Sequence, residues 1–315
     1  MENFIFSINA TAPVFLMMCL GYLLKRIHWM EEEFALKINS FVFKVPLPVL
    51  LFYQLGSADF VDSWDGKFVG FCFLSTVLSI LLVAGVSFLA VREGKQRGEF
   101  IQASYRSSAA ILGIAYITNI YGQTAMAPLM ILGAVPLYNI MAVVVLTVTS
   151  SGSGKLEKAV LMKTLKGILT NPIILGILFG FLWSLSGISF GNIASKTLTN
   201  IGNLATPLGL MAMGASVDFQ KLSGAVKPAL VATFFKLVGL CMIFLPLAVM
   251  FGFRGEQLVA IVVMLGSATT VTSYVMAKNM GHEGSLSSCA VILTTILSSF
   301  TLTFWIFFIR SMGWI

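Results

Sequence analysis

Charge is what this chain is short of: Asp, Glu, Lys and Arg make up only 10% of its 315 residues, against 57% apolar residues, and its mean hydropathy is +0.93. A soluble domain of that composition would expose large apolar patches, so the solvent for most of the chain is lipid. Cysteine is scarce too, and Cys19, Cys72, Cys241 and Cys289 all fall in apolar stretches without the paired spacing of a zinc site or a disulfide framework. The two histidines, His28 and His282, fall in predicted loops with no second metal ligand at helical or hairpin spacing, and read as solvated. HExxH, GxSxG, Walker and glycine-rich dinucleotide patterns are all missing, so enzymatic chemistry, ATP-driven transport and a resident cofactor or metal lack their parts.

What is present is a series of long apolar runs. Crossing about 30 Å of hydrocarbon takes ~20 apolar residues, which leaves room for about ten spans and short loops. Reading the runs against Gly, Pro and charge places spans near 7–24, 35–56, 67–91, 100–121, 126–149, 165–186, 195–217, 225–250, 257–280 and 286–309. The expectation is an all-α integral membrane protein. Its start carries an acid and places Lys25 and Arg26 after the first apolar run, which reads as a retained span rather than a cleaved leader. The polar stretch SSGSGKLEKAV suggests a linker at 151–164 between a first five-span half, 1–150, and a second, 165–315.

The net charge of +7 is spread through short loops rather than gathered into a nucleic-acid patch. One set of alternate loops collects Lys25, Arg26, Arg92, Lys95, Arg97, Lys155, Lys158, Lys163, Lys221, Lys227 and Lys278, whereas the other has Lys67, Lys196, Arg254 and Arg310. The positive-inside rule makes the rich side cytoplasmic and both termini extracytoplasmic, in an inner (plasma) membrane. The halves also echo each other. Pro13 precedes Gly21 as Pro172 precedes Gly180, Asn39 precedes Pro46 as Asn200 precedes Pro207, and Asp59-Phe60 matches Asp218-Phe219. Gly and Pro are common in membrane helices, so matched spacings also arise by chance. An odd number of spans per half would make the repeat inverted, the architecture of alternating-access carriers.

The predicted spans contain no Asp or Glu, since all 13 acids are assigned to loops or span ends. Lys44, Arg106 and Lys236 do enter apolar runs, where a charge costs about 3 kcal/mol or more. With no acid to pair them, their partner is water, backbone carbonyl, lipid phosphate or an anionic ligand, or else they snorkel to the headgroups.

The fourth span places Tyr105, Arg106, Ser107 and Ser108 beside small alanines, and the ninth places Ser267, Thr269 and Thr270 after Gly266. Such centres line a cavity, bond back to their own helices or glue neighbouring ones. If the helices unwind there, half-helix N-termini would favour a carboxylate. Asn139, after Pro136 in the fifth span, is a buried amide able to donate to a carboxylate or to satisfy a broken helix. Pro46, Pro48 and Pro207 mark hinges or helix breaks in the second and seventh spans.

The pieces NSFVFKVPLPVLLF, YRSSAAILGIA, VPLYNIMAV, NPIILGILFG, TPLGLMAMGAS and GSATTVTSYVMA together resemble the auxin efflux carrier family in its compact bacterial form, over essentially the whole chain. The resemblance implies two inverted five-helix repeats, a scaffold from spans 1, 2, 6 and 7, and broken crossing helices 4 and 9. It also implies organic-anion substrates such as malate, malonate or auxin-like carboxylates, with the site at Arg106 to Ser108, Asn139 and Ser267 to Thr270. The prolines usual at the crossing are absent, Ala110 and Ala268 standing in those neighbourhoods, and Ser108 stands where many relatives have Asn. The expected activity is secondary transport of a small organic anion. Its rivals are a sodium-coupled symporter of the bile-acid type and a non-transporting membrane sensor. The partners expected are that anion and the lipid bilayer, with a homodimer left open and nucleic acid ruled out.

Overall fold

A computed structural model describes residues 13, 16–58, 64–109, 117, 120–121, 126–150, 158–216 and 219–315. Outside them lie Asp59-Phe60, Asp218, Ala110, most of the later part of the predicted fourth span and residues 151–157 of the predicted linker. Among the described residues the protein is all-α, and its sole β pairing is an isolated bridge.

The helices run in the order α1 (16–26), α2 (Glu32–Lys44), α3 (Pro46–Gly56), α4 (Gly66–Ala90), α5 (Gly94–Tyr105), α6 (Met126–Ser150) and α7 (Lys158–Leu169). There follow α8 (Pro172–Leu185), α9 (Asn192–Asn203), α10 (Ala205–Ala215), α11 (Phe219–Phe234), a π-helical turn Phe235–Gly239 and α12 (Leu240–Met250). The last three are α13 (Gly255–Gly266), α14 (Val271–Asn279) and α15 (Ser285–Ser311). Five helical stretches are long and apolar enough to cross a membrane: Glu32–Gly56, Gly66–Ala90, Met126–Thr149, Gly224–Met250 and Ser285–Ser311. Pro172–Leu185 and Gly255–Gly266 are shorter apolar helices.

Local chemistry sets the helix ends. Glu32 and Glu33 occupy the first turn of α2, where carboxylates complement the helix dipole. At Val45 the backbone turns to φ −124°, ψ −71°, because a residue before proline is pushed out of the α region, and Pro46 then opens α3. Asp65 caps α4 by accepting from Phe68 N at 3.0 Å, and Asn171 caps α8 by accepting from Ile173 N at 2.9 Å.

Burial is inverted relative to a soluble helix. Along α4 the buried face carries Cys72, Ser75, Thr76 and Ser79, while Phe73, Leu74, Leu78 and Phe88 point outward. Small and hydroxyl-bearing residues let backbones approach, and large apolar ones suit lipid. Ser79 Oγ satisfies itself on Ser75 O at 2.6 Å. Cys72, Cys241 and Cys289 are buried as free thiols, and Cys19 is exposed.

The helices pack in two groups. In the first, α3 lies against α8 and α9, and α2 against α10. Glycines set the spacing: a Cβ on Gly176 would stand 2.5 Å from Pro48 O, and one on Gly180 2.6 Å from Phe52 O. Gly21 of α1 meets the Met211 backbone, and Gly214 of α10 meets that of Met18, in the same way. The second group joins α4, α5 and α6 to one another, α11 to α15, and α12 to α13. The groups touch where α14 packs on α2 and α10, and where α6 meets α8.

Two sequence expectations are corrected. Glu99 is not a loop or end residue: it lies within α5, 2% exposed, and accepts from Gly284 N and Ser287 N at 2.9 Å each, capping α15. Aligned N–H groups at a helix start make this a favourable place for a carboxylate in an apolar interior. His282 is likewise buried rather than solvated, its Nε2 2.9 Å from Leu146 O.

Candidate functional site

Two helices stop in mid-chain and their ends meet. α5 ends at Tyr105, and Arg106 is extended at φ −77°, ψ 121°. α13 ends at Gly266, Ser267 is extended at φ −78°, ψ 163°, and α14 begins after Thr270. The two extended segments pair antiparallel at Ser107 and Thr269, with Ser108 N donating to Ala268 O at 2.9 Å. Small residues permit this backbone contact, and the pairing satisfies polar groups that would otherwise be orphaned in an apolar interior.

Hydroxyls satisfy further groups at the break. Thr269 Oγ1 donates at 2.7 Å to Ala103 O, in the last turn of α5, and Thr269 N donates to Thr294 Oγ1 at 3.0 Å. Thr270 caps α14, its Oγ1 accepting from Thr272 N at 3.4 Å, and Ser273 Oγ donates to Thr270 O at 2.7 Å. The N-terminus of α14 therefore directs its positive end at the break.

Arg106 is 3% exposed and does not snorkel. Its guanidinium donates to Asn139 Oδ1 and, at 2.9 Å, to Met276 Sδ, a weak acceptor. Asn139 Nδ2 is held by Val135 O at 2.9 Å, which turns the amide oxygen toward Arg106. Among the described residues no carboxylate is paired with Arg106, and none lines the space in front of it.

These groups border a cavity of about 130 Å³, roughly ten times the ~10–15 Å³ one water occupies by that measure. Arg106, Ser107, Ser108, Asn139, Thr269 and Thr270 all line it, and no Asp or Glu does so among the described residues. Tyr105 and Ser267 stand behind the wall: Tyr105 donates to Tyr138 O at 3.1 Å, and Ser267 is fully buried. Tyr138 and Thr206 line the cavity and escaped the sequence reading, although each is adjacent to a singled-out residue, Asn139 or Pro207. Its apolar wall, including Val42, Leu47, Leu51 and Val135, gave no signal because such residues fill every span.

The other singled-out residues separate by location. Pro46 and Pro48 sit in the first turn of α3, after the break at Val45, and Pro207 in the first turn of α10, after Leu204. Lys44 is exposed in the last turn of α2. Lys236, for which headgroup snorkelling stood as one reading, is fully buried, its Nζ donating to Leu265 O at 2.6 Å and Met264 O at 3.3 Å.

Comparison with known proteins matches residues 6–306 to the family described as membrane transport protein. A protein of Methanothermobacter thermautotrophicus, described as an uncharacterized transporter, is 24% identical over 310 residues, which cover 96% of this chain and 98% of that one.

Proposed function

Because the chain belongs to the membrane transport protein family, that of the auxin efflux carriers, and is a transport protein rather than an enzyme, we propose that it is a secondary transporter of a small organic anion. The substrate class is a mono- or dicarboxylate, malate, malonate or an auxin-like acid, held at the break between α5 and α13. The observation that carries this reading is Arg106, buried at a cavity wall with no carboxylate partner among the described residues. A buried unpaired cation is costly, and an incoming anion supplies the missing charge.

The helix ends support the same sign. The negative C-terminal end of α13 is met by a cation, Lys236, whereas the positive end of α14 faces the cavity with no acid lining it among the described residues. A carboxylate there would take N–H groups from Arg106 and hydroxyls from Ser108 and Thr270, the Thr269 hydroxyl being already given to Ala103 O.

Alternating access is the mechanism proposed, through an inverted repeat of five helices in each half, 1–150 and 165–315, around the 151–164 linker. In support, 161 positions separate the helix ends Tyr105 and Gly266, and 161 separate Pro46 from Pro207. In further support, α1 lies by Gly21 on α10, and α8 lies by Gly180 on α3. In the proposed orientation the lysine-rich loops are cytoplasmic and both termini extracytoplasmic at the plasma membrane.

The test is uptake of labelled mono- and dicarboxylates into proteoliposomes, preceded by a thermal-shift screen of the same acids. Arg106→Ala should lower uptake by about tenfold or more, since charge-assisted hydrogen bonds contribute about 1.5–3 kcal/mol. Wild-type protein that neither binds nor carries any carboxylate would refute the reading.

A further inference from the structure

We infer that the Lys236 ammonium is a resident cation on the C-terminal carbonyls of α13, filling the position where a sodium-coupled carrier would bind its ion. The inference deepens the transporter reading and rests on it for its meaning, but not for its test. Lys236 lies in the π-helical turn Phe235–Gly239, between α11 and α12. A π-turn inserts one residue into a helix and shifts which side chains face inward, and such turns recur at functional positions. Here it accompanies a lysine whose ammonium reaches the end of a neighbouring helix.

What Lys236 contacts decides what it does. The last carbonyls of α13 have no intrahelical donor, because the chain leaves the helix at Ser267. Lys236 Nζ takes two of them, Leu265 O at 2.6 Å and Met264 O at 3.3 Å. Carbonyl oxygens at a half-helix C-terminus are also the ligands that broken-helix carriers offer to an alkali ion. An ammonium and an alkali ion have the same charge and seek the same oxygens, so the two compete for one place.

The ammonium also reaches the cavity through shared atoms. Met264 O accepts from the Tyr138 hydroxyl as well, at 3.5 Å, and that hydroxyl is 3.4 Å from Ser107 Oγ. Tyr138 and Ser107 both line the cavity. Lys236 is thus a positioning residue: its Nζ occupies the carbonyls at the end of α13 and leaves no place on them for a co-transported ion.

The experiment is melting of the purified full-length chain in sodium, potassium or choline chloride at equal ionic strength. Wild-type protein should melt at the same temperature in all three salts. Lys236→Ala, which removes the charge and leaves room, should be raised by about 5 °C in sodium or potassium relative to choline. Lys236→Met, which removes the charge and fills the room, should show no such preference. Purification of Lys236→Ala in an alkali salt but not in choline is the same expected result. Wild-type protein stabilised by sodium over choline, or a Lys236→Ala protein that melts alike or fails to fold in every salt, overturns the inference. Because melting requires no carboxylate, this outcome stands apart from success or failure of carboxylate uptake.

Discussion

The Arg106 guanidinium donates to the side-chain oxygen of Asn139, and the nitrogen of that same amide is tied to Val135 O at 2.9 Å. Asn139 is therefore a neutral positioning group. It aims the cation without cancelling it, and the cation keeps three N–H groups that no bond among the described residues engages.

Replacing that neutral acceptor by an acid should reveal the difference. Asn139→Asp would place a carboxylate against Arg106 and form a buried ion pair that satisfies the guanidinium internally. The expected outcome is a protein that melts no lower than wild type yet has lost carboxylate binding by about tenfold or more. Calorimetric titration on the folded variant is the measurement, and unchanged affinity would detach Arg106 from the substrate.

Glu99 invites a different expectation, since a buried carboxylate in a carrier suggests proton coupling. Its two oxygens are already committed to Gly284 N and Ser287 N at the start of α15. Glu99→Ala should then cost roughly 1–2 kcal/mol, as loss of a helix cap does, and lower the melting temperature. Glu99→Gln retains one acceptor oxygen and should transport at close to the wild-type rate, measured as initial uptake with and without a pH gradient.

The break was legible in the sequence because polar and small residues stand where a span should be uniformly greasy: Arg106 to Ser108 in one helix, Ser267 to Thr270 in the other. That the two breaks would meet through Ser108 N and Ala268 O was not legible, since backbone pairing leaves no side-chain signature. Lys236 could be flagged as costly, but its destination depends on a π-turn that no residue type in FKLVG encodes. Glu99 was misplaced for a related reason. It stands one residue before an apolar run, and its partners are the backbone N–H groups of a helix 185 and 188 positions away in sequence. Tyr138 and Thr206 lay beside residues already singled out, yet a lone hydroxyl in a membrane helix usually bonds to its own helix.

Close packing in the first group makes a stability prediction. Gly176 and Gly180 form a GxxxG face on which α3 rests, with no room for a Cβ beside Pro48 O or Phe52 O. The obstructing atoms are backbone, so a side chain there must separate the helices. Gly180→Leu should lose the folded protein on size-exclusion chromatography, and Gly180→Ala should lower the melting temperature by an amount consistent with overpacking, about 1–3 kcal/mol. Gly70 and Gly85 of α4, which meet nothing within 4 Å, are the controls that should tolerate alanine.

The contact between the two helix groups carries the last prediction. Asn39 of α2 donates from its side chain to Val275 O at 3.4 Å, and Asn279 of α14 returns a bond to Asn39 O at 3.5 Å. Both bonds are long, and Asn39 Oδ1 is buried without a partner, so this contact is held together weakly. A carrier that alternates must part such a contact once per cycle on the side of the cavity where α2 and α14 meet. Asn39→Cys with Asn279→Cys, in a protein whose exposed Cys19 is replaced by Ser, should be joined by a short bis-methanethiosulfonate, which forms a disulfide with each thiol as methanesulfinate leaves. Uptake should fall to background when the pair is joined and return after reduction, while the unjoined double variant stays active. Full activity in the joined protein would mean that α2 and α14 move as one body, and that access to the cavity opens elsewhere.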